Sequence, residues 1–157
     1  MSTKGNIILP LGEDVAERQI GVLYGWTEGG YPLHITQEAY SSILSQAEHD
    51  SPIESCGYAL GTIGDDGGII ITENYPLTNT DHSEEHFSLD PREQFAAVKY
   101  ARSKGLSVIA GWHSHPASPS RPSEEDKRLA LDPRAYYLIL SLAPDVSGFP
   151  YVPEGKP

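Results

Sequence analysis

The sequence predicts a single α/β domain in which a mixed β-sheet is flanked by two or three helices. Two stretches, residues 36–50 and 90–105, have helical spacing of apolar residues and recognisable start and stop signals. A length of 157 residues suits one domain with a sizeable core. Short apolar runs typical of buried strands lie around these helices, at residues 57–63, 68–74, 106–110 and 136–142.

The opening section, residues 1–35, is predicted to be an N-terminal extension packed on the domain. It contains two strand-like runs, at residues 20–26 and 31–35. The stretch between them, residues 27–30, reads Thr-Glu-Gly-Gly and has the chemistry of a hairpin turn. We therefore expect these two runs to form a β-hairpin.

The first helix is predicted to begin after Thr36, which can act as its N-cap, and to end near Pro52. Its buried face combines four residues at helical spacing: Tyr40, Ile43, Leu44 and Ala47. The next two strands, 57–63 and 68–74, are separated by Gly-Asp-Asp-Gly, a second hairpin signal.

The second helix is predicted to begin at Asp90 and Pro91 and to end at Gly105. Its inner side would carry Phe95, Val98 and either Ala101 or Arg102. The stretch before it, residues 75–89, is polar and irregular, although 86–89 is compatible with a short strand. A third helix is predicted from Ser123 to Pro133, followed by the strand at 136–142 and a proline-rich coil at 143–157.

Composition excludes several function classes. The formal net charge of −11 disfavours binding to a phosphate backbone, so we expect no nucleic-acid partner. No apolar run approaches the ~20 residues that a membrane span requires, and the N-terminus lacks the layout of a signal peptide, which together favour a cytoplasmic location without a membrane partner. The single cysteine, Cys56, rules out an internal disulfide framework.

A candidate metal site follows the strand at 106–110. His113 and His115 are separated by one residue, so on a strand their side chains project to the same side. Asp126, in the first turn of the next helix, can face back toward them. Two imidazoles and one carboxylate suit zinc and leave a fourth position open for water. Hydrolysis also needs a carboxylate base, and the candidate is Glu54, directly before the strand at 57–63.

These residues stand in a recognisable pattern. Glu54 is followed by Cys56-Gly57, Leu60 and Gly61, and then by His113-x-His115-Pro116, six residues, Ser123, two residues and Asp126. The pattern resembles the signature of the JAMM (MPN-plus) zinc metallopeptidases and matches it at every signature position. The resemblance extends from about residue 35 to residue 142.

The resemblance implies a cytidine-deaminase-like JAMM fold for a catalytic domain at residues 36–142. It implies that His113, His115 and Asp126 bind one Zn²⁺ and that Glu54 is the general base for a metal-activated water. It further implies that the Ser123 hydroxyl holds the oxyanion. The family cleaves peptide or isopeptide bonds at the C-terminus of ubiquitin-like proteins. Short prokaryotic members resemble peptidases of small sulfur-carrier proteins with a Gly-Gly tail.

Other interpretations of the same residues remain. The Ser123-x-x-Asp126 segment is also a helix capping box, and a lone His-x-His or a lone Glu54 is commonly an exposed surface feature. Cys56 is better interpreted as a small buried residue than as a nucleophile. The stretch 82–86 fits the inverted zincin pattern H-x-x-E-H, but it lacks the flanking helix which that motif requires. One cysteine cannot supply the zinc-deaminase signature.

A non-catalytic MPN-type scaffold is the alternative function. Scaffold members lack some of the metal ligands, whereas this sequence lacks none. The family domain usually continues beyond the strand at 136–142, so the chain is either short or truncated after its 143–157 tail. The segments at 74–90 and 117–122 leave little room for large ubiquitin-gripping insertions. The sequence is also compatible with a homodimer.

Overall fold

The computed structural model describes residues 4–7, 10–11, 22–27, 33–117 and 136–142. These residues form eight strands and two helices along the chain: β1 (Lys4–Ile7), β2 (Pro10–Leu11), β3 (Val22–Thr27), β4 (Leu33–Thr36), α1 (Gln37–Asp50), β5 (Cys56–Ile63), β6 (Ile69–Leu77), α2 (Pro91–Ser103), β7 (Ser107–His115) and β8 (Tyr136–Ser141). Neither helix in this part of the chain is long and apolar enough to cross a membrane.

The described strands form one mixed sheet in the order β1-β3-β8-β7-β5-β6-β4-β2. Strand β5 lies between β6 and β7 and is antiparallel to both, whereas β8 runs parallel to β7. Parallel and antiparallel pairs in one sheet with helices against it confirm the predicted α/β class.

Helix α1 forms as predicted. The Thr36 hydroxyl accepts a hydrogen bond from the backbone N–H of Ala39 at 3.2 Å, which caps the helix. The four predicted inner residues are buried: Tyr40, Ile43, Leu44 and Ala47. They pack in the larger core cluster, which also contains Trp112 and Leu138 from the central strands. We call this side of the sheet the α1 face.

Helix α2 begins where predicted, but its inner side differs. Asp90 caps it by accepting a hydrogen bond from the N–H of Arg92 at 2.9 Å, and Gly105 adopts a positive φ of 70° just after it. The buried residues are Ala97 and Ala101, because small side chains let the helix approach the sheet closely. The prediction that Phe95 faces inward is wrong: 67% of its surface is exposed.

The α2 side of the sheet holds a smaller cluster, in which Ala97 packs with Cys56 and Leu77. We call this side the α2 face. Partly buried aromatic residues, among them Tyr58, Tyr75 and Phe87, surround the cluster. The sheet therefore separates a large apolar core on one face from a smaller cluster on the other.

Two sequence predictions about strands are wrong. The runs around residues 20–26 and 31–35 do form β3 and β4, but β3 pairs with β1 and β8, whereas β4 pairs with β2 and β6. Turn chemistry is local, whereas pairing depends on which sheet edges remain to be covered. Residues 86–89 form no strand, because side chains of their own loop satisfy part of their backbone. The hairpin predicted at 64–67 is confirmed by the pairing of β5 with β6.

Candidate active site

The register between β5 and β7 brings distant parts of the chain together. Cys56 pairs with His113, and just beyond this pair the N–H of Ser114 donates to the carbonyl of Ser55 at 2.9 Å. Glu54 comes two residues before Cys56, just outside this paired segment. Because opposed residues in an antiparallel pair share a face, as do residues two apart on one strand, Cys56, His113 and His115 lie on the α2 face.

Three of the predicted site residues lie at the same end of the β5–β7 pairing. Glu54, His113 and His115 expose only 6%, 6% and 7% of their surface. Glutamate and histidine are rarely buried to this extent without partners, and such groups cluster at functional sites. The two remaining site residues, Ser123 and Asp126, lie outside the described residues, as does the helix predicted to begin at Ser123.

The two histidines suit a zinc ion by donor chemistry and by spacing. Their ring centroids are 5.1 Å apart, with an angle of 57° between the ring planes. Zinc binds histidine nitrogen at 2.0–2.1 Å, and two imidazoles on one tetrahedral ion then have ring centroids about 5 Å apart. Within the described part of the chain no group of three His, Cys, Asp or Glu side chains forms a metal cluster. The predicted third ligand, Asp126, would have to complete it.

Two serines, Ser55 and Ser114, alternate along the chain with these residues and form hydrogen bonds on the α1 face. The hydroxyl of the fully buried Ser114 accepts from the N–H of Ser55 at 2.7 Å. The hydroxyl of Ser55 donates to Asp50 at 2.7 Å and accepts from Gln46 at 2.9 Å. The end of α1 is thus attached directly behind the strand segments that carry Glu54, His113 and His115.

Beside Glu54 lies a cavity of about 500 Å³. This size falls within the usual range for small-ligand sites. Its lining combines the end of α1, the segment before β5 and the end of β6, namely Gln46, His49, Asp50, Ile53, Glu54, Pro76, Leu77, Thr78, Asn79 and His82. Both polar and apolar side chains therefore border the general-base candidate.

Cys56 lies in the floor of the site but does not have the character of a nucleophile. It is 1% exposed, and burial, followed by the nearby negative charges of Glu93, Asp50 and Glu54, raises the pKa of its thiol to about 12. A thiol with this pKa stays protonated at neutral pH. The structure confirms the interpretation of Cys56 as a buried packing residue.

The competing motif at 82–86 does not form a metal helix. These residues belong to the connection between β6 and α2, residues 78–90, which we call the 78–90 loop, and they contain no helical turn. His82 has a positive φ of 48°, which is incompatible with a continuing α-helix. The two histidines therefore do not face one another one helical turn apart.

The 78–90 loop supplies two residues that sequence reasoning missed. The ring of Phe87 stacks on His113 with centroids 4.8 Å apart and 22° between the planes. The side chain of Asn79 donates to the carbonyl of Glu54 at 3.0 Å. An aromatic residue inside a polar stretch and an asparagine in an Asn-Thr-Asp turn are the signals that could have identified them.

The chain is similar to proteins of one known family. Residues 36–149 match the family model described as prokaryotic homologs of the JAB domain. The chain is 30% identical to the CysO-cysteine peptidase of Mycobacterium tuberculosis over 111 residues, which cover 71% of this chain and 74% of that protein. It is 32% identical to the desampylase of Haloferax volcanii over 114 residues, 69% of this chain and 80% of the relative.

A solved structure has the same fold. The solution structure of a Desulfitobacterium hafniense protein superposes with a TM-score of 0.64 at 46% sequence identity. The superposition covers 70% of this chain and 75% of that one.

Proposed function

The chain belongs to the prokaryotic JAB family, and from this premise we propose that it is a zinc-dependent peptidase of small ubiquitin-like or sulfur-carrier proteins. The bond hydrolysed follows the C-terminal glycine of a Gly-Gly tail. The observation that carries the proposal is the burial of His113 and His115 on one face of β7, with the buried Glu54 just before the strand that pairs with them. Relatives named CysO-cysteine peptidase and desampylase support the class of substrate.

Each residue has one role in this proposal. His113, His115 and Asp126 hold the zinc ion, and Glu54 takes a proton from the attacking water and passes it to the leaving amine. The Ser123 hydroxyl donates a hydrogen bond to the oxygen on which negative charge develops. Zinc, when bound, supplies Lewis-acid polarisation of the scissile carbonyl and makes a water molecule acidic enough to lose its proton near neutral pH.

The surroundings of Glu54 favour this use of its carboxylate. Glu54 exposes only 6% of its surface, so its carboxylate is largely shielded from bulk water. The adjoining cavity of about 500 Å³ provides space for the group that leaves with the amine. We therefore propose that this cavity accommodates the amine-bearing group that is released, which is either a single amino acid or a lysine side chain.

The experiment uses a small carrier protein that ends in Gly-Gly and is extended by one amino acid, with product masses recorded over time. Glu54→Gln should keep zinc and lose about 10²–10⁴-fold in turnover, the usual range for a general base. His115→Ala should lose both zinc and turnover. Glu48→Gln and His34→Ala, at exposed positions outside the site, are the matched controls and should behave as wild type.

A non-catalytic scaffold predicts a different result. Zinc-loaded wild-type protein would then bind the carrier without releasing the extension. Cleavage by Glu54→Gln at the wild-type rate would contradict the role given to Glu54, while leaving peptidase activity itself intact.

A further inference from the structure

Asn79 is a buried amide at the start of the 78–90 loop that contacts only main-chain groups. It exposes 6% of its surface. Its Nδ2 donates to the carbonyl oxygens of Glu54 at 3.0 Å and His86 at 2.8 Å, with a longer approach of 3.4 Å to Ser83. Its Oδ1 accepts from the N–H groups of Asp81 at 3.0 Å and Ser88 at 3.2 Å. Donor and acceptor capacity are both used fully.

Glu54 depends on this loop for its main-chain position. The ladder of β5 begins at Cys56, so Glu54 lies before the regular strand pairing. Its N–H donates to the carbonyl of Ser83 at 2.9 Å, and its carbonyl accepts from Asn79. Both polar backbone groups of the general-base candidate are therefore bonded to the 78–90 loop.

The same amide also fixes the residue that supports His113. Asn79 bonds the carbonyl of His86 and the N–H of Ser88, the two residues that flank Phe87. Phe87 stacks on the His113 ring. One side chain thus connects the backbone of Glu54 to the aromatic ring packed on a predicted metal ligand.

We propose that Asn79 is a positioning residue which sets the place of Glu54 relative to His113. This inference rests on the proposed function and adds a residue that acts through the main chain of Glu54. Groups behind a catalytic or metal-binding residue commonly contribute 10–100-fold to activity by orienting it. A shift of the Glu54 backbone by a fraction of an ångström would misplace its carboxylate relative to the attacking water.

The substitution Asn79→Asp separates the two halves of the amide. The aspartate keeps an oxygen for the N–H groups of Asp81 and Ser88, so the loop turn retains its acceptor. It replaces Nδ2 by a carboxylate oxygen, which cannot donate and is repelled by the carbonyl oxygens of Glu54 and His86. The change therefore removes the bond to Glu54 with almost no change in volume.

The matched control is Thr80→Val. The Thr80 hydroxyl donates to the carbonyl of Ser88 at 3.2 Å in an exposed part of the same loop. Valine has a similar shape and removes this bond without altering a contact to Glu54. Thr80→Val therefore measures the effect of losing a hydrogen bond of the same loop that does not involve Glu54.

The first measurement is steady-state hydrolysis of the extended carrier by zinc-loaded protein. We expect Asn79→Asp to lower kcat by about 10–100-fold with KM within about twofold of wild type, and Thr80→Val to leave both unchanged. Zinc stoichiometry should remain that of wild type in both variants, because neither substitution removes a predicted metal ligand.

The second measurement is amide hydrogen exchange of the metal-free protein, which does not depend on activity. The Glu54 amide should exchange at least about tenfold faster in Asn79→Asp than in wild type, whereas Thr80→Val should leave it protected. If Asn79→Asp fails to accumulate as folded protein, Asn79→Ser replaces it with the same expectations, since serine is too short to reach Glu54 from this position.

Several results would overturn the inference. These are an unchanged kcat in Asn79→Asp, an equal loss in Thr80→Val, or an unchanged Glu54 amide. An inactive wild-type protein would instead count against the proposed function, and the exchange measurement would still decide whether Asn79 holds Glu54.

Discussion

Replacing Gly57 by alanine should destabilise the protein strongly, because Gly57 lies directly opposite Trp112 in the β5–β7 register. A Cβ at this position would lie 2.6 Å from Nε1 of Trp112 and 2.7 Å from the backbone carbonyl oxygen of Tyr75. The indole is 1% exposed and donates to Asn74 at 2.8 Å, so it has no space into which to move. The carbonyl belongs to β6 and cannot move without disturbing the sheet.

The expected magnitude has two parts. Forcing one extra carbon into a filled core typically costs about 1–3 kcal/mol, and weakening the bond between Trp112 and Asn74 adds about 1 kcal/mol. The sum, about 2–4 kcal/mol, corresponds to a fall in Tm of about 4–16 °C for a chain of this length. Thermal unfolding followed by circular dichroism measures the shift.

The matched control is Gly111→Ala on β7. Its neighbour across the ladder is Tyr58, and a Cβ there would meet nothing closer than the Tyr58 ring at 3.9 Å, an ordinary contact. Neither Gly57 nor Gly111 adopts a positive φ, so backbone strain does not separate the two substitutions. We expect the Tm of Gly111→Ala to stay within about 3 °C of wild type. Equal shifts, or a larger shift for Gly111→Ala, would refute the β5–β7 register that pairs Gly57 with Trp112.

Three further predictions follow from the described contacts. The thiol of Cys56 has a pKa of about 12, so its thiolate fraction at pH 8 is on the order of 10³-fold smaller than that of a free cysteine. A thiol reagent should therefore label the native protein far more slowly than the denatured protein. Equal labelling rates would contradict the burial of Cys56. The hydrogen bond from the N–H of Arg92 lowers the pKa of Asp90 in the folded protein from its ordinary value of 3.8. The ionised carboxylate therefore stabilises the fold above pH 3.8, and this contribution is lost as the pH falls through the folded-state pKa. The urea midpoint of wild type should therefore exceed that of Asp90→Asn at pH 7, and the difference between the two midpoints should shrink below pH 3.8. A difference that grows on acidification would contradict the lowered pKa of Asp90. Ser114→Ala removes the buried acceptor of the Ser55 N–H, which should lower the free energy of unfolding by about 1–3 kcal/mol in urea titrations, and an unchanged value would show that another acceptor replaces the hydroxyl.

Local sequence signals predicted most of the described core of the fold. Thr36 and Asp90 cap α1 and α2 as expected, because capping depends on residues only two or three positions apart. The positions of β3 and β4 were also predicted, but not their partners. Partner choice depends on the whole sheet, in which these strands lie near opposite edges. The exposed position of Phe95 likewise depends on the close packing of Ala97, which helical spacing alone does not determine.

Part of the site could likewise be predicted, because spacing along a strand determines which residues share a face. The two-residue spacing of His113 and His115 places both on one face of β7, and the pairing of Cys56 with His113 brings the start of β5, which Glu54 precedes, to the same end of the sheet. The contribution of Asn79 could not be predicted, because its partners are backbone groups whose positions exist only in the folded chain. Ser123 and Asp126 stay predictions.

The most direct test of the proposed chemistry is the release of a single amino acid from a Gly-Gly carrier, measured by mass for one preparation in three states: zinc-loaded, chelated, and chelated then resupplied with zinc. The account predicts cleavage directly after the terminal glycine in the first and third states and none in the second. Undiminished cleavage by the chelated protein would contradict it.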